Sequence, residues 1–154
     1  MNRDARDAVE LRIPSQLRFL GMVDAVVQAY AADLAWEPDD LNNLSTAAIE
    51  AASNAMEHGN AFAADKWVVL RIAGDKQAVD IEVEDQGDGF DHRPYERELT
   101  PEDLLKLRGR GIFIMRSFMD EVGFTSLPHH GTRVRLRKRG TPATQSSGGH
   151  IASP

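Results

Sequence analysis

A carboxylate, an amide and an imidazole recur at every fourth residue of the segment EAASNAMEHGN, at Glu50, Asn54 and His58. On a helix, this spacing turns the three side chains toward one narrow stripe. A carboxylate can accept a proton from a hydroxyl group, and an amide oxygen is a hard donor that suits Mg²⁺. Alanines and leucines occupy the opposite arc, so the stripe is either a chemical surface above a packed helix or simply a solvated face.

A second candidate lies in the segment EDQGDGF, where Asp85 ends a predicted strand and is followed by Gly87 and Gly89. Glycine permits a tight backbone path and the close approach of a ligand. A carboxylate at a strand end can accept a hydrogen bond from an exocyclic amine such as that of adenine. Taken alone, the motif fits a hairpin turn rich in aspartate and glycine equally well.

A third candidate is the segment RGRGIFIM, in which Gly109 and Gly111 precede a predicted helix. Free backbone amides and the positive end of a helix dipole can bind phosphate, and Arg108 and Arg110 would add positive charge. The same two glycines could instead serve only as a flexible hinge where a helix begins.

Hydrophobic periodicity predicts the elements that must position these motifs. The pattern indicates strands at about residues 9–13, 67–74, 78–85, 123–127 and 132–139, and helices at about residues 15–34, 39–59, 101–107 and 111–122. Helices followed by hairpins predict an α+β two-layer sandwich, with about three long helices on one face of a mixed, largely antiparallel sheet of about five strands. In the last strand, Arg133, Arg135 and Arg137 share a face that is either solvated or meets an acidic partner.

The composition indicates one globular domain, residues 1–139, and a tail of small and polar residues, 140–154, that is expected to be disordered. The net charge of -6 provides no basic field for nucleic acid. The chain has no cysteine, which excludes disulfides and thiolate metal sites. Because there is no signal-peptide pattern and no apolar run of roughly 20 residues, we expect a cytoplasmic protein without a membrane segment.

The order of the three motifs, with Gly131 and Thr132 opening the last strand, resembles the GHKL ATPase superfamily of gyrase, MutL and the histidine kinases, which has the Bergerat fold. Within that superfamily, the motif ExxxNAxxHG at residues 50–59 is similar to that of the anti-sigma factor serine kinases. The segments LRIPS (11–15) and FMDEV (118–122) also resemble that group. The resemblance spans about residues 9–138.

The resemblance implies a site for ATP and Mg²⁺. Asn54 would be the magnesium ligand, and Glu50 would be the general base that takes the proton of a serine or threonine hydroxyl as it attacks the γ-phosphate. Asp85 would accept a hydrogen bond from the adenine amine, while Gly87 and Gly89 would shape the floor of the pocket.

The resemblance also implies contacts around the rest of the nucleotide. Thr132 would support the base through its hydroxyl or a water molecule. The backbone amides of Gly109, Arg110 and Gly111 would face the phosphates, and residues 91–108 would form a lid over ATP.

Several side chains keep more than one possible role. His58 either contacts the nucleotide or metal, or serves as a polar contact near a helix end. Whether Arg108 or Arg110 neutralises phosphate charge stays open, because the segment LLKLRGRG lacks the acidic-arginine pair of the sporulation-type kinases. His129 and His130 fit a polar turn better than a metal site, since no third ligand is near in sequence.

The function implied by the resemblance is an ATP-dependent serine/threonine protein kinase that binds a sigma factor and phosphorylates a STAS-type anti-anti-sigma protein, with a homodimer as the suggested assembly. An alternative is a nucleotide-gated module that sequesters its partner without phosphorylating it. The catalytic domain of a two-component histidine kinase is disfavoured, because no phosphoacceptor hairpin precedes the motifs. Related folds carry several activities, so the fold alone cannot choose among these functions.

Overall fold

Five strands form one open sheet in the computed structural model, which describes residues 7–89 and 91–144. They are β1 (Val9–Pro14), β2 (Trp67–Gly74), β3 (Ala78–Glu84), β4 (Glu121–Ser126) and β5 (Thr132–Arg139), in the order β1-β2-β3-β5-β4. The predicted α+β class and the five strands are confirmed. All four strand pairings are antiparallel, whereas the sequence suggested a mixed sheet.

The described residues contain four α-helices: α1 (Leu20–Ala31), α2 (Pro38–Asn54), α3 (Pro101–Leu104) and α4 (Leu107–Phe118). Helices α1, α2 and α4 contact the sheet, and α3 packs against α4. A wider π-helical turn, Ala55–Gly59, extends α2, and 3₁₀ turns flank α1 at Leu17–Phe19 and Ala32–Leu34. A further 3₁₀ turn lies at Arg93–Tyr95. None of the helices in the described residues is long and apolar enough to cross a bilayer.

Helix α2 is the central element of the helical layer. Pro38 occupies its first turn together with Asp39 and Asp40, whose negative charge favours a helix N-terminus. Its buried face consists mainly of alanines without solvent exposure, at positions 47, 48, 51 and 52, which let the helix lie close to the sheet. The facing side chains of the sheet are also buried: Val68, Leu70, Ile72, Val79, Ile81, Val83, Val134 and Leu136.

The arginines of β5 lie on the outer face of the sheet, as the period of two predicts, while Val134 and Leu136 are buried on the inner face. They pair with acidic residues of the neighbouring strand: Arg133 donates to Glu84 at 2.7 Å and Arg137 donates to Asp80 at 2.9 Å. These carboxylates already balance much of the positive charge, which weakens the idea that the face meets an acidic partner.

The first residues of the predicted tail belong to the folded structure. Pro142 forms a β-bridge with Trp36, and the Ala143 N–H donates to the Ala35 carbonyl at 2.8 Å. The N–H and hydroxyl of Thr144 both donate to the carboxylate of Glu37, at the start of α2. The predicted boundary at residue 139 therefore lies too early, and the rest of the predicted tail, 145–154, falls outside the described residues.

Candidate functional site

Glu50 and Asn54 lie one turn apart on the partly exposed side of α2, where α4 packs against it. Gly111 of α4 marks the point at which their side chains converge. A Cβ at Gly111 would stand 2.9 Å from Asn54 Nδ2 and 3.1 Å from Glu50 Oε2. The structure thus brings a carboxylate, an amide and the backbone of a second helix to one place.

Burial raises the pKa of the Glu50 carboxyl above its ordinary value. Desolvation penalises the charged form, because fewer water molecules can stabilise the negative charge. A carboxylate with a raised pKa is a stronger proton acceptor than an ordinary one, which suits a general base.

Asp85 follows the end of β3, is 7% exposed, and lies at the centre of a tight backbone cluster. Its Oδ1 accepts the N–H groups of Gly87 and Thr132, at 2.9 Å and 3.2 Å. Among the described residues, these two hydrogen bonds both go to Oδ1 and not to Oδ2. Burial raises the pKa of this carboxyl, although the two amides and the charges of Arg108 and Lys66 oppose that shift.

Two glycines allow the backbone around Asp85 to pack this tightly. A Cβ at Gly59 would stand 2.3 Å from the carboxylate of Asp85, and a Cβ at Gly87 would stand 1.9 Å from the Gly59 carbonyl oxygen. Contacts this short exclude any side chain at either position. The end of the motif ExxxNAxxHG and the start of DxGxG therefore fit each other directly, although they are 26 residues apart.

A small cavity lies beside Asp85, bounded by Asn54, His58, Arg108 and Thr132, with Ile112, Phe124 and Val134 as apolar walls. Nε2 of His58 is buried without a hydrogen-bond partner among the described residues. Such an atom in a mixed polar and apolar cavity indicates a place for a ligand group. Burial, and then the charge of Arg108, lower the pKa of His58, so its neutral form is favoured.

Arg108 is one of the residues that line the cavity beside Asp85. Its guanidinium is half-buried, and this desolvation lowers its pKa. The charges of Tyr95 and Asp85 raise the pKa and so oppose part of that shift. The cavity is only about 20 Å³, whereas pockets for drug-sized ligands span roughly 300–1,000 Å³. In this structure the cavity is therefore too small for a nucleotide.

Helix α4 begins at Leu107, four residues earlier than predicted, and it ends at Phe118 rather than at residue 122. Gly109 and Gly111 therefore lie inside the helix and not before it. The N–H of Arg110 already donates to the Lys106 carbonyl at 3.0 Å. The first-turn amides come from residues 107–109, so of the three predicted phosphate-facing amides only that of Gly109 is in this turn.

The other predicted residues have distinct surroundings. Thr132 is buried; its carbonyl accepts the backbone N–H of Asp85 at 3.1 Å, and its own N–H donates to the Asp85 carboxylate at 3.2 Å. Gly89 is exposed and has a φ of 79°, a backbone conformation that favours glycine. The side chain of Arg110 is exposed, and Gly109 packs against the Asp103 carbonyl, where a Cβ would stand at 1.9 Å.

Within the predicted lid, residues 91–108, the side chain of Asp103 binds several neighbouring groups and is 7% exposed. Its carboxylate accepts the Thr100 N–H at 2.8 Å and an Arg97 guanidinium N–H at 2.9 Å. Arg116 of α4 donates to the Arg97 carbonyl at 3.2 Å, which ties this segment to the helix. The hydrogen bonds from Thr100 and Arg97 lower the pKa of Asp103 to about 2, so the tie persists at all but very acidic pH.

The sequence motifs do not identify Asn60, which directly follows the predicted helix at residues 39–59. It is 1% exposed, and its amide bridges the ends of three strands. No periodic signal marks such a residue, because its partners are distant in sequence. The one available signal was the position of an asparagine directly after the histidine and glycine of the motif.

A family model described as "Histidine kinase-like ATPase domain" matches residues 13–138. The chain belongs to this family. The site described above lies entirely within the matched range, and the resemblance to the GHKL superfamily is confirmed. Asp85, Glu50 and Asn54 all lie within this histidine kinase-like ATPase domain.

Three curated relatives show which named proteins this ATPase domain is similar to. "Serine-protein kinase RsbW" of Bacillus licheniformis is 32% identical over 127 residues, covering 77% of this chain and 78% of the relative. The protein of the same name from Bacillus subtilis is 29% identical over 140 residues, with coverages of 86% and 85%. "Anti-sigma F factor" of Clostridium perfringens is 30% identical over 121 residues, with coverages of 77% and 86%.

A solved structure supports the fold of the ATPase domain. The crystal structure of the RsbU and RsbW domains of a Mycobacterium tuberculosis protein matches with a TM-score of 0.62. The match covers 88% of this chain and 33% of that chain, at 16% identity. At this identity the likeness concerns the architecture alone.

The polar groups of the ATPase domain fit a magnesium ion that is held mainly by its nucleotide. No group of three or more histidine, cysteine, aspartate or glutamate side chains in the described residues could hold a metal by itself. Mg²⁺ usually takes most of its ligands from phosphate and water, and it needs only one or two protein oxygens. The amide oxygen of Asn54, next to the partly exposed Glu50, suits this role.

Proposed function

We propose that this chain is an ATP-dependent serine/threonine protein kinase of the cytoplasm that acts as an anti-sigma factor and phosphorylates a STAS-domain anti-anti-sigma protein. The convergence of Glu50 and Asn54 at Gly111 carries this proposal. In this arrangement the proposed proton acceptor, Glu50, lies beside the proposed ligand of the phosphate-bound metal, Asn54. The names of the relatives, serine-protein kinase and anti-sigma F factor, support the same activity.

ATP would bind with its purine beside Asp85 and its phosphates toward α4. Oδ2 of Asp85 would accept a hydrogen bond from the adenine amine, while Thr132 lies next to it in the cavity wall. Asn54 would hold Mg²⁺, which supplies charge neutralisation at the phosphates when it is bound. The first-turn amides of α4 and the Arg108 side chain, once displaced from the cavity, would face the phosphate groups.

Phosphoryl transfer then requires one proton acceptor. The hydroxyl oxygen of the substrate serine forms a bond to the γ-phosphorus, and the bond from that phosphorus to the β,γ-bridging oxygen breaks. The hydroxyl proton passes to Glu50, and ADP leaves with the electrons of the broken bond. The raised pKa of Glu50 favours this proton transfer.

The partners of this activity would be a sigma factor and a STAS-domain protein, bound by a homodimer of the chain. Nothing in the net charge of -6 favours direct binding to nucleic acid. Light scattering during size-exclusion chromatography tests the dimer, with a mass near twice 17.0 kDa as the expected result.

Label transfer tests the kinase proposal. The chain is incubated with Mg²⁺, γ-labelled ATP and each STAS-domain protein of the same organism, and phosphoserine is identified by mass spectrometry. The proposal expects one protein to be labelled by the natural chain and not by the Glu50→Gln variant. Binding of Mg-ATP and capture of a sigma factor without any label transfer would favour the non-catalytic sequestering module instead.

A further inference from the structure

Asn60 ties three separate parts of the chain together. Its Nδ2 donates to the Ser15 hydroxyl at 2.7 Å and to the Trp67 carbonyl at 2.9 Å. Its Oδ1 accepts the backbone N–H of Gln86 at 2.7 Å. Because Asn60 is 1% exposed, loss of its amide would deprive the Trp67 carbonyl and the Gln86 N–H of this partner, whereas the Ser15 hydroxyl would keep its hydrogen bond to the Lys66 carbonyl at 3.0 Å.

The hydrogen bond to Gln86 acts directly on the adenine end of the cavity. The N–H that Asn60 holds belongs to the peptide that joins Asp85 to Gln86. The side chain of Gln86 is fixed as well, since its Oε1 accepts the Trp67 N–H at 2.7 Å. The Asp85 carboxylate itself accepts the N–H groups of Gly87 and Thr132, so Asn60 acts on its direction through the backbone that leads from Asp85 to Gly87.

The two residues that follow Asn60 have backbone conformations that are locally unfavourable. Ala61 and Phe62 have φ angles of 50° and 54°, in the left-handed region that is unfavourable for side chains with a Cβ. Such conformations persist only where the surroundings hold them, and they concentrate at functional sites. The three hydrogen bonds of the Asn60 amide anchor the residue that directly precedes this turn.

We propose that Asn60 is a positioning residue for purine recognition. By fixing the Asp85–Gln86 peptide, Asn60 aims the Asp85 carboxylate and so determines how strongly the site prefers an amino group to an oxo group at position 6 of the purine. The inference rests on the proposed function, in which Asp85 accepts from the adenine amine. It assigns the selectivity for that amine to a residue that does not touch the base.

The experiment compares ATP with inosine triphosphate, which carries an oxo group at position 6. Dissociation constants for both nucleotides are measured by calorimetry with Mg²⁺ on the full chain. In Asn60→Ala, the preference for ATP is expected to fall by about tenfold, the equivalent of one misplaced hydrogen bond. Asn60→Asp keeps an acceptor for the Gln86 N–H, so it is expected to retain more of the preference.

Ser15→Ala is the matched control. It removes the hydroxyl on the opposite side of Asn60 and leaves the bond to Gln86 in place, so it is expected to lower stability without changing the ratio of the two dissociation constants. An unchanged ratio in Asn60→Ala, or an equal fall in Ser15→Ala, would overturn the positioning role while the proposed function stands. A natural chain without any preference for ATP would overturn both, because Asp85 would then not read the amine.

Discussion

Gly111 of α4 lies directly against Asn54 of α2, so close that a Cβ would stand 2.9 Å from Nδ2 of the amide. The same Cβ would stand 3.1 Å from Oε2 of Glu50. This contact couples the helix that begins at the predicted phosphate end of the site to the two side chains proposed to hold the metal and accept the proton. The close approach of α4 to α2 therefore limits where the Asn54 amide and the Glu50 carboxylate can lie.

The Gly111→Ala variant tests this coupling. The methyl group would push Asn54 away from its position, so Mg-ATP affinity is expected to fall by roughly 10- to 100-fold, as when the support of a metal ligand is lost. Calorimetry with and without Mg²⁺ measures the effect. The matched control is Gly21→Ala in α1, where a Cβ meets nothing within 4 Å. It should keep full affinity and gain stability of up to about 1 kcal/mol.

Replacing Glu50 by glutamine should separate activity from stability. Loss of the proton acceptor is expected to slow phosphoryl transfer by roughly 10²- to 10⁴-fold while nucleotide affinity stays near that of the natural chain. The variant should also melt at a higher temperature at neutral pH. Because the folded-state pKa of Glu50 is raised, burial of its charged form opposes folding above the unfolded pKa.

The stability gain in Glu50→Gln should depend on pH. Below the unfolded pKa of about 4.3, the natural carboxyl is protonated in both the folded and the unfolded state, so the difference in melting temperature should vanish. Thermal melts of both chains at acidic and neutral pH measure this. A gain of the same size at both pH values would contradict the role of desolvation at Glu50.

The rate of phosphoryl transfer should follow the ionisation of Glu50. Only the deprotonated carboxylate can accept the hydroxyl proton, so the single-turnover rate at saturating ATP falls as pH drops through its pKa. Since burial raises this pKa, the midpoint should lie above the ordinary value of about 4.3. A rate that does not change across this range would exclude Glu50 as the base.

The ion pair of Arg97 and Asp103 should slow nucleotide release by stabilising the lid. Removing the guanidinium in Arg97→Ala is expected to speed dissociation of a fluorescent ATP analogue by up to about fivefold, because a partly exposed pair contributes at most about 1 kcal/mol. Arg93→Ala is the control, since its ion pair with Asp91 is exposed and local. Equal acceleration in both variants would contradict a specific role for Asp103.

The segment after β5 should stabilise the fold. Deleting residues 141–154 removes the backbone hydrogen bonds between Ala143 and Ala35 and between Glu37 and Thr141, at an expected cost of about 1–3 kcal/mol in the free energy of unfolding. Deleting only residues 145–154 leaves both bonds in place and is the control. Urea denaturation compares the two chains, and equal stabilities would show that the segment contributes nothing.

Much of the fold could be predicted from the sequence where periodicity and burial coincide. The alternation in TRVRLRKR gave β5 its observed bounds, Thr132–Arg139, because one face of the strand is buried and the other is charged. The alanine-rich face of α2 was equally clear, since those side chains pack against the sheet. These elements are determined by a local pattern that matches the tertiary environment.

Other features depend on contacts that a local pattern does not contain. The glycines at 109 and 111 suggested that α4 begins after them, but both lie inside the helix. They are glycines because Asp103 and Asn54 approach the helix backbone closely at these two positions. The polar segment at 140–144 looked disordered, and it is held by bonds to residues about 100 positions earlier. The role of Asn60 likewise arises only when three strand ends meet.

Magnesium-dependent binding of ATP measures the central claim most directly. In titration calorimetry of the full chain, ATP should bind in the presence of Mg²⁺ and bind much more weakly after chelation of the metal, and Asn54→Ala should remove most of that difference. Well-folded protein that takes up no ATP, or that binds it equally with and without Mg²⁺, would contradict the assignment of Asp85 and Asn54 to the two ends of a nucleotide site.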